Sequence, residues 1–235
     1  LQYARQGAHL GLLARRGDTL QQLIASLPHP ERHRAYAVDV CDHAALKNAA
    51  ADFIGQAGGI DVVIASAGVS YGTLSEHAED LDAFARLIAI NVTATVATFA
   101  PFIAAMKAQG SGRLVGIGSV AGIRGLPGAE AYSASKAAVI SYCESLRLEL
   151  KPAGIKVVTI TPGYIDTPMT RHNAYRMPFL MPADKFAVRA ARAIADGDSY
   201  RVIPWQMGVV AKLLRALPNA IYDRVFANAP HKARN

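Results

Sequence analysis

The stretch "GRLVGIGS", Gly112 to Ser119, is an apolar run that ends in a hydroxyl residue, and "YSASK", Tyr132 to Lys136, follows it closely. The run is nearly continuous rather than alternating, as in a strand buried on both faces. Comparable runs recur along the chain: "HLGLLA" (His9 to Ala14), "AYAVDV" (Ala35 to Val40), "IDVVIASAG" (Ile60 to Gly68), "IKVVTITPG" (Ile155 to Gly163) and "YRVIP" (Tyr200 to Pro204). Helical patterns separate them, at about 19–27, 43–56, 81–109 and 184–195. The helix carrying Tyr132 runs to Lys151, where Pro152 and Gly154 stop it. Alternating apolar strands and helices specify an α/β fold, a doubly wound parallel sheet with helices on both faces. No repeat or linker divides the chain, so residues 1–204 are expected to form one domain. Residues 205–235 are expected to be a helical extension, packed on that domain or projecting from it.

The 235 residues are ample for one hydrophobic core, and 51% hydrophobic with 18% charged is a globular balance. Cys41 and Cys143 have no metal or redox spacing, which suits a reducing compartment, and the seven histidines are scattered. No metal is expected. A net charge of +7 favours anionic partners, for which cofactor phosphates suffice. The basic residues are not interleaved with aromatics as RNA stacking requires, so no nucleic-acid partner is expected. No apolar run approaches the roughly 20 residues that span a bilayer, nor does the start resemble a signal peptide. A cytoplasmic setting is the expectation. "LQYARQGAHLGLLARR" opens in what reads as the middle of a helix.

In a doubly wound sheet, ligands bind beyond the carboxyl ends of the strands. The first run ends in Ala14-Arg15-Arg16. An acidic residue there would bind ribose hydroxyls, whereas arginine accommodates a 2′-phosphate; the competing reading is a solvated loop pair. The second run ends in Asp39-Val40, a carboxylate able to accept from an adenine amino group or to cap the next helix, as Asp42 also could. Ser66-Ala67-Gly68 offers close backbone approach to a flat ligand. Asn91 sits among apolar residues and must find partners for its amide. Pro162 and Gly163 force a turn that leaves Ile165 and Thr167 facing one crevice. Tyr132 and Lys136, four apart, share a helix face, where the cation would favour tyrosinate; taken alone, the pair reads rather as a solvated one.

Asn91, Ser119, Tyr132 and Lys136, followed by "PGYIDT" (Pro162 to Thr167), resemble the short-chain dehydrogenase/reductase family. The resemblance covers Leu1 to about Pro204. YxxxK alone is common, but the ordered set is specific. It implies a Rossmann-type fold and hydride transfer between NADP(H) and a carbonyl or alcohol, usually in a homodimer or homotetramer. Tyr132 would be the acid/base, its phenol lowered from about 10 by Lys136 and the nicotinamide charge. Lys136 would also bind the nicotinamide ribose, Ser119 the substrate oxygen, and Asn91 a water leading to Lys136. Ile165 and Thr167 would fix the carboxamide, and Arg15, Arg16, Asp39, Val40, Ala67, Gly68, Pro162 and Gly163 complete the cofactor set. The family's TGxxxGxG strand and turn would lie ahead of Leu1, and its NNAG reads "ASAG" here (Ala65 to Gly68).

Residues 169–182 fall in the family's variable lid. Met177, Phe179, Leu180 and Met181 suggest an apolar wall, and Tyr71, Met169 and Phe179 join Ser119 as substrate-side candidates. Arg171, His172 and Arg176 are either solvated or an anion site. In the tail, Val209, Val210, Leu213, Leu214 and Leu217 form an apolar face beside Lys212 and Arg215. It packs on its own domain or a partner subunit, dips into a membrane surface, or narrows the substrate entrance. Two rival functions on the same fold are a non-catalytic NADP(H) sensor, which has no need of Ser119 and Asn91 together, and a membrane-surface interaction protein built around the C-terminal helices, which leaves that set unexplained.

Overall fold

The computed structural model describes residues 1–171, 173, 175–229 and 231. In chain order its first half contains α1 (Gln2–Arg5), β1 (Gly11–Ala14), α2 (Gly17–Ala25), β2 (Arg34–Ala37), α3 (His43–Ala57), β3 (Val62–Ala65), α4 (Asp80–Ile88) and α5 (Ala94–Gln109). There follow β4 (Gly112–Ile117), α6 (Glu130–Leu150), β5 (Ile155–Pro162), β6 (Ile165–Asp166), α7 (Pro168–Arg171), β7 (Met181–Pro182) and α8 (Ala183–Asp196). β8 (Tyr200–Ile203), α9 (Trp205–Ala216) and α10 (Asn219–Phe226) are the last elements among the described residues.

All strand pairings are parallel. β3, β4, β5 and β8 form a four-stranded sheet in that order, with Val63 opposite Leu114 and Leu114 opposite Val157. β1 and β2 form a ladder of their own. The single expected sheet is thus two ladders, since β1 and β3 are not hydrogen-bonded to each other. Successive side chains of a strand point to opposite faces, and the core divides accordingly. Val63, Leu114 and Val157 pack toward Phe99 and Met106 of α5 and Val139 and Cys143 of α6. Val115, Val158 and Ile160 pack on the other face toward Ala190 and Ile194 of α8. Helices on both faces make the sheet doubly wound.

The helical path 80–109 is, by length and composition, apolar enough to cross a membrane, contrary to the expectation from apolar runs alone. Here it is a core element: Leu87, Phe99 and Met106 are fully buried. A π-helical turn over Ala89–Thr93 interrupts it and carries Asn91. A short parallel pairing the sequence did not signal joins the end of the expected lid loop to the residues ahead of it, Ile165 with Met181 and Asp166 with Pro182.

The tail packs on the same body at several points. A Cβ on Gly163 would meet Met207, and one on Gly208 would meet Val202. The expected apolar face of α9 is not the face that packs: Val209, Val210 and Leu213 are exposed, and Leu214 and Leu217 are only half-buried, whereas Met207 and Ala211 turn inward instead.

Two glycines with the same left-handed φ of 73° test the packing separately from the backbone. A Cβ at Gly58 would meet nothing within 4 Å, whereas one at Gly154 would overlap the Gly110 carbonyl. Gly58→Ala should cost about 1 kcal/mol, the left-handed penalty alone, and Gly154→Ala clearly more. Urea denaturation of both variants checks this; equal losses would contradict the packing.

Candidate active site

Tyr132 and Lys136 lie on the inner face of α6. Lys136 is only 6% exposed, and its Nζ donates a 2.8 Å hydrogen bond to the carbonyl of Ile117, the last residue of β4. The same Nζ is 5.9 Å from the centroid of the Tyr132 ring. Burial disfavours its charged form and lowers the ammonium to about 8. Two residues past β4, Ser119 begins a 3₁₀ turn, its Oγ accepting from the Ala121 amide at 3.2 Å. Ser119 also hydrogen-bonds the Tyr132 hydroxyl, and so does Ser70 from the segment after β3.

The proton affinity of Tyr132 differs from the expectation. Burial dominates and raises the phenol above its ordinary value; the opposing pull comes from the two serine hydroxyls. Lys136 is not what lowers it, because its ammonium is turned to the Ile117 carbonyl.

Asn91, 1% exposed, uses its whole amide within the protein. Its Nδ2 donates to the Val69 carbonyl and to Ser135 Oγ, both at 3.0 Å, and its Oδ1 accepts from the Val69 amide at 2.9 Å. Ser135 Oγ in turn donates to the Tyr132 carbonyl at 2.8 Å. The π turn aims this side chain between two segments, clamping Val69, the neighbour of Ser70, to the helix of Tyr132. With both amide hydrogens engaged, the side chain has no donor left for the expected water. The Asn91 carbonyl accepts from Thr95 Oγ1 at 2.8 Å.

The cofactor-side residues lie along the strand ends. Arg15 and Arg16 are exposed after β1. The charges of both Arg15 and Asp39 act on the Cys41 thiol, so the ends of β1 and β2 are neighbours. Asp39 Oδ1 accepts from the Cys41 amide at 2.9 Å, while Asp42 rather than Asp39 caps α3 through the Ala45 amide; Val40 is half-buried. Ala67 is exposed, and a Cβ on Gly68 would come within 3.2 Å of Asn91 Oδ1 and 3.7 Å of Lys136 Nζ. Pro162 ends β5, and the Gly163 amide donates to the Ile203 carbonyl at 2.8 Å. Ile165 departs from its expected place: its side chain packs in the core with Met181 and Ala190 instead of facing a crevice. The Thr167 amide donates to Thr170 Oγ1 at 3.1 Å. The donor chemistry of this edge suits a nicotinamide dinucleotide: Lys136 lies beside Gly68 and keeps N–H donors for ribose hydroxyls beyond the one Ile117 accepts.

The substrate-side candidates are mostly placed elsewhere. Tyr71 packs with Leu87, Ala131 and Tyr132, and its hydroxyl donates to the Ala83 carbonyl at 3.2 Å. Met169, Phe179 and Leu180 are exposed and Met181 is in the core, so they do not form the expected wall; Met177 Sδ accepts from Asn173 Nδ2 at 3.6 Å. Arg171 is paired with Asp166 at 2.8 Å, Arg176 is exposed, and His172 lies outside the described residues. Two residues were missed. Ser70 sits in no motif, and only its place after an apolar run pointed to it. Tyr175 is close enough to act on Tyr132, lies edge-on to Tyr164 with ring centroids 6.2 Å apart, and is pushed up to about 12 chiefly by burial. A groove of about 930 Å³ runs along the outer side of α6, lined by Ala134, Ala137 and Ile140, and includes none of Ser119, Tyr132 and Lys136.

A doubly wound α/β sheet with a hydroxyl cluster and a buried lysine at its carboxyl edge is the architecture of a dinucleotide-dependent oxidoreductase. The short chain dehydrogenase family model matches residues 1–177, and the chain belongs to that family. An uncharacterized oxidoreductase of Mycobacterium tuberculosis is 36% identical over 228 residues, 94% of this chain and 89% of that protein. One from Myxococcus xanthus is 38% identical over 168 residues, 72% of this chain and 66% of its own length. This chain therefore spans just under two thirds of the latter relative. A short-chain dehydrogenase structure from Streptomyces avermitilis shares the fold at a TM-score of 0.76, with 22% identity over 97% of this chain and 92% of that one.

Lys136 gives a pH signature in the cofactor-free protein. Its ammonium releases its proton near 8 when folded and near 10.5 when unfolded. Between those values the unfolded chain binds the extra proton, so native stability rises with pH. Relative to Lys136→Met, the wild type should gain up to about 3 kcal/mol from pH 7 to pH 10.5. Denaturant titrations at several pH values measure the difference; a flat difference would contradict the burial of the charge.

Proposed function

We propose that this chain interconverts a carbonyl compound and an alcohol, with NADP(H) as hydride carrier and Tyr132 as proton donor in reduction and acceptor in oxidation. The observation that supports it is the meeting of the Tyr132, Ser119 and Ser70 hydroxyls one helical turn from buried Lys136. The bound dinucleotide supplies the hydride. Ser119 holds the substrate oxygen against the Tyr132 hydroxyl, so that two donors meet the negative charge that develops there. A phenol is protonated at neutral pH and burial makes this one harder still to ionise, so the resting site is set to deliver a proton. Lys136 holds the nicotinamide ribose through the N–H groups that Ile117 does not use. Asp39 receives the adenine end, and Arg15 pairs with a 2′-phosphate where Ala14 places no carboxylate to repel it. In keeping with the family, the working form is a homodimer or homotetramer.

The experiment is NADPH oxidation by the full-length protein against ketones, aldehydes, quinones and 3-oxoacyl thioesters. Tyr132→Phe should lower turnover by at least about a hundredfold while the NADPH Kd stays within about twofold. Turnover near that of the wild type would remove Tyr132 from the role. Arg15→Ala should raise the NADPH KM by about tenfold and leave the NADH KM nearly unchanged; equal effects on both would refute the phosphate assignment.

A further inference from the structure

Arg124 lies in the segment that joins Ser119 to α6, and its guanidinium is bonded to the C-terminal helices. Nη1 donates to the carbonyls of Leu214 at 2.7 Å, Leu217 at 2.8 Å and Arg215 at 3.2 Å. Nη2 donates to Asn219 Oδ1 at 3.0 Å. The carbonyls of a last helical turn have no partner within their helix, and the helix dipole favours a cation there. Arg124 therefore caps α9 from about ninety residues away. Its guanidinium also lies 3.9 Å from the Tyr222 ring centroid, and Tyr222 donates back to the Gly125 carbonyl at 2.6 Å. Tyr222 stacks on Phe226 at 4.4 Å, and a Cβ on Gly128 would overlap His231.

The other side of the same segment is fixed to the candidate catalytic helix. Ser119 Oγ holds the Ala121 amide, and Gly122 sits directly on the backbone of Lys136 and Ala137. The Leu126 amide donates to Ser133 Oγ at 3.3 Å. The chain between Ser119 and Tyr132 is thus held between α6 and the α9–α10 pair. The anchor is itself packed on the body of the protein, since Met207 covers Gly163 and Gly208 packs on Val202.

We propose that Arg124 is a positioning residue: through α9 and α10 it fixes the 119–128 segment, and so sets where the Ser119 hydroxyl stands relative to Tyr132. The inference deepens the reading of the site as a carbonyl–alcohol oxidoreductase and rests on it for its catalytic consequence. The latch itself is independent of turnover. A small displacement of a group that orients substrate lowers reactivity steeply, whereas the residues assigned to the dinucleotide phosphates and adenine lie at other strand ends.

Three variants of the full chain test this: Arg124→Met, Arg124→Lys and Tyr222→Phe, the last keeping the aromatic stack. Hydrogen exchange of the 119–128 amides is measured first. It should rise in each variant, most in Arg124→Met, and unchanged exchange in all three would overturn the latch. Then, well below each variant's Tm, kcat/KM for the carbonyl substrate should fall by about tenfold in Arg124→Met. The Arg124→Lys loss should be smaller, and the NADPH Kd should stay within about twofold. Raised exchange with kcat/KM unchanged would make Arg124 a structural clamp only and overturn the positioning role, as would a Kd that rises in step. If Arg124→Met does not fold, Tyr222→Phe and Arg124→Lys decide by the same criteria. If the wild type turns over no carbonyl, the oxidoreductase reading fails, while exchange still decides whether the latch exists.

Discussion

The buried amide of Asn91 joins two segments that approach from opposite directions. Val69 arrives from the end of β3, Ser135 from the first turns of α6, and one side chain bonds both. A buried polar group without partners is costly, so full use of this amide leaves one arrangement of the two segments and disfavours others. Ser70 and Gly68 are thereby set beside Tyr132 and Lys136. The π turn that carries Asn91 departs from regular helix where the amide is aimed at both segments. What the clamp fixes is a geometry among hydroxyls, and the chemistry follows from that.

Burial has opposite consequences for the two titrating neighbours. It makes the Tyr132 phenol harder to ionise and the Lys136 ammonium easier to deprotonate. Both shifts favour neutral groups in a protected crevice. The serine hydroxyls work against this by offering hydrogen bonds to a developing phenolate. The site therefore does not rest as a preformed tyrosinate–ammonium pair. It rests as a protonated phenol with serine hydroxyls arranged around it.

Much of this was legible in the residues. Six apolar runs gave the six principal strands, most of them shorter than the run and β2 starting one residue ahead of it at Arg34, because a strand buried on both faces is apolar nearly throughout. The four-residue spacing of Tyr132 and Lys136 gave their common face, and Asn91 stood out as an amide in apolar surroundings. Other features had no local signal. Ser70 resembles any loop serine until Asn91 places it, and Ile165 reads as crevice-facing until its pairing with Met181 turns it into the core. The contacts of Arg124 depend on carbonyls about ninety residues distant, which no periodicity encodes. Charge proximity also misled: four residues of helix bring an ammonium near a phenol, but the carbonyl of Ile117 decides where it points.

The central claim is that burial, moderated by serine hydroxyls, sets the proton affinity of Tyr132. Ultraviolet titration of the tyrosinate band, taken as wild type minus Tyr132→Phe, reads that affinity directly. In the cofactor-free protein the difference band should appear only above pH 10, and oxidised dinucleotide should move it downward. A band that titrates at or below pH 10 without cofactor would contradict the account.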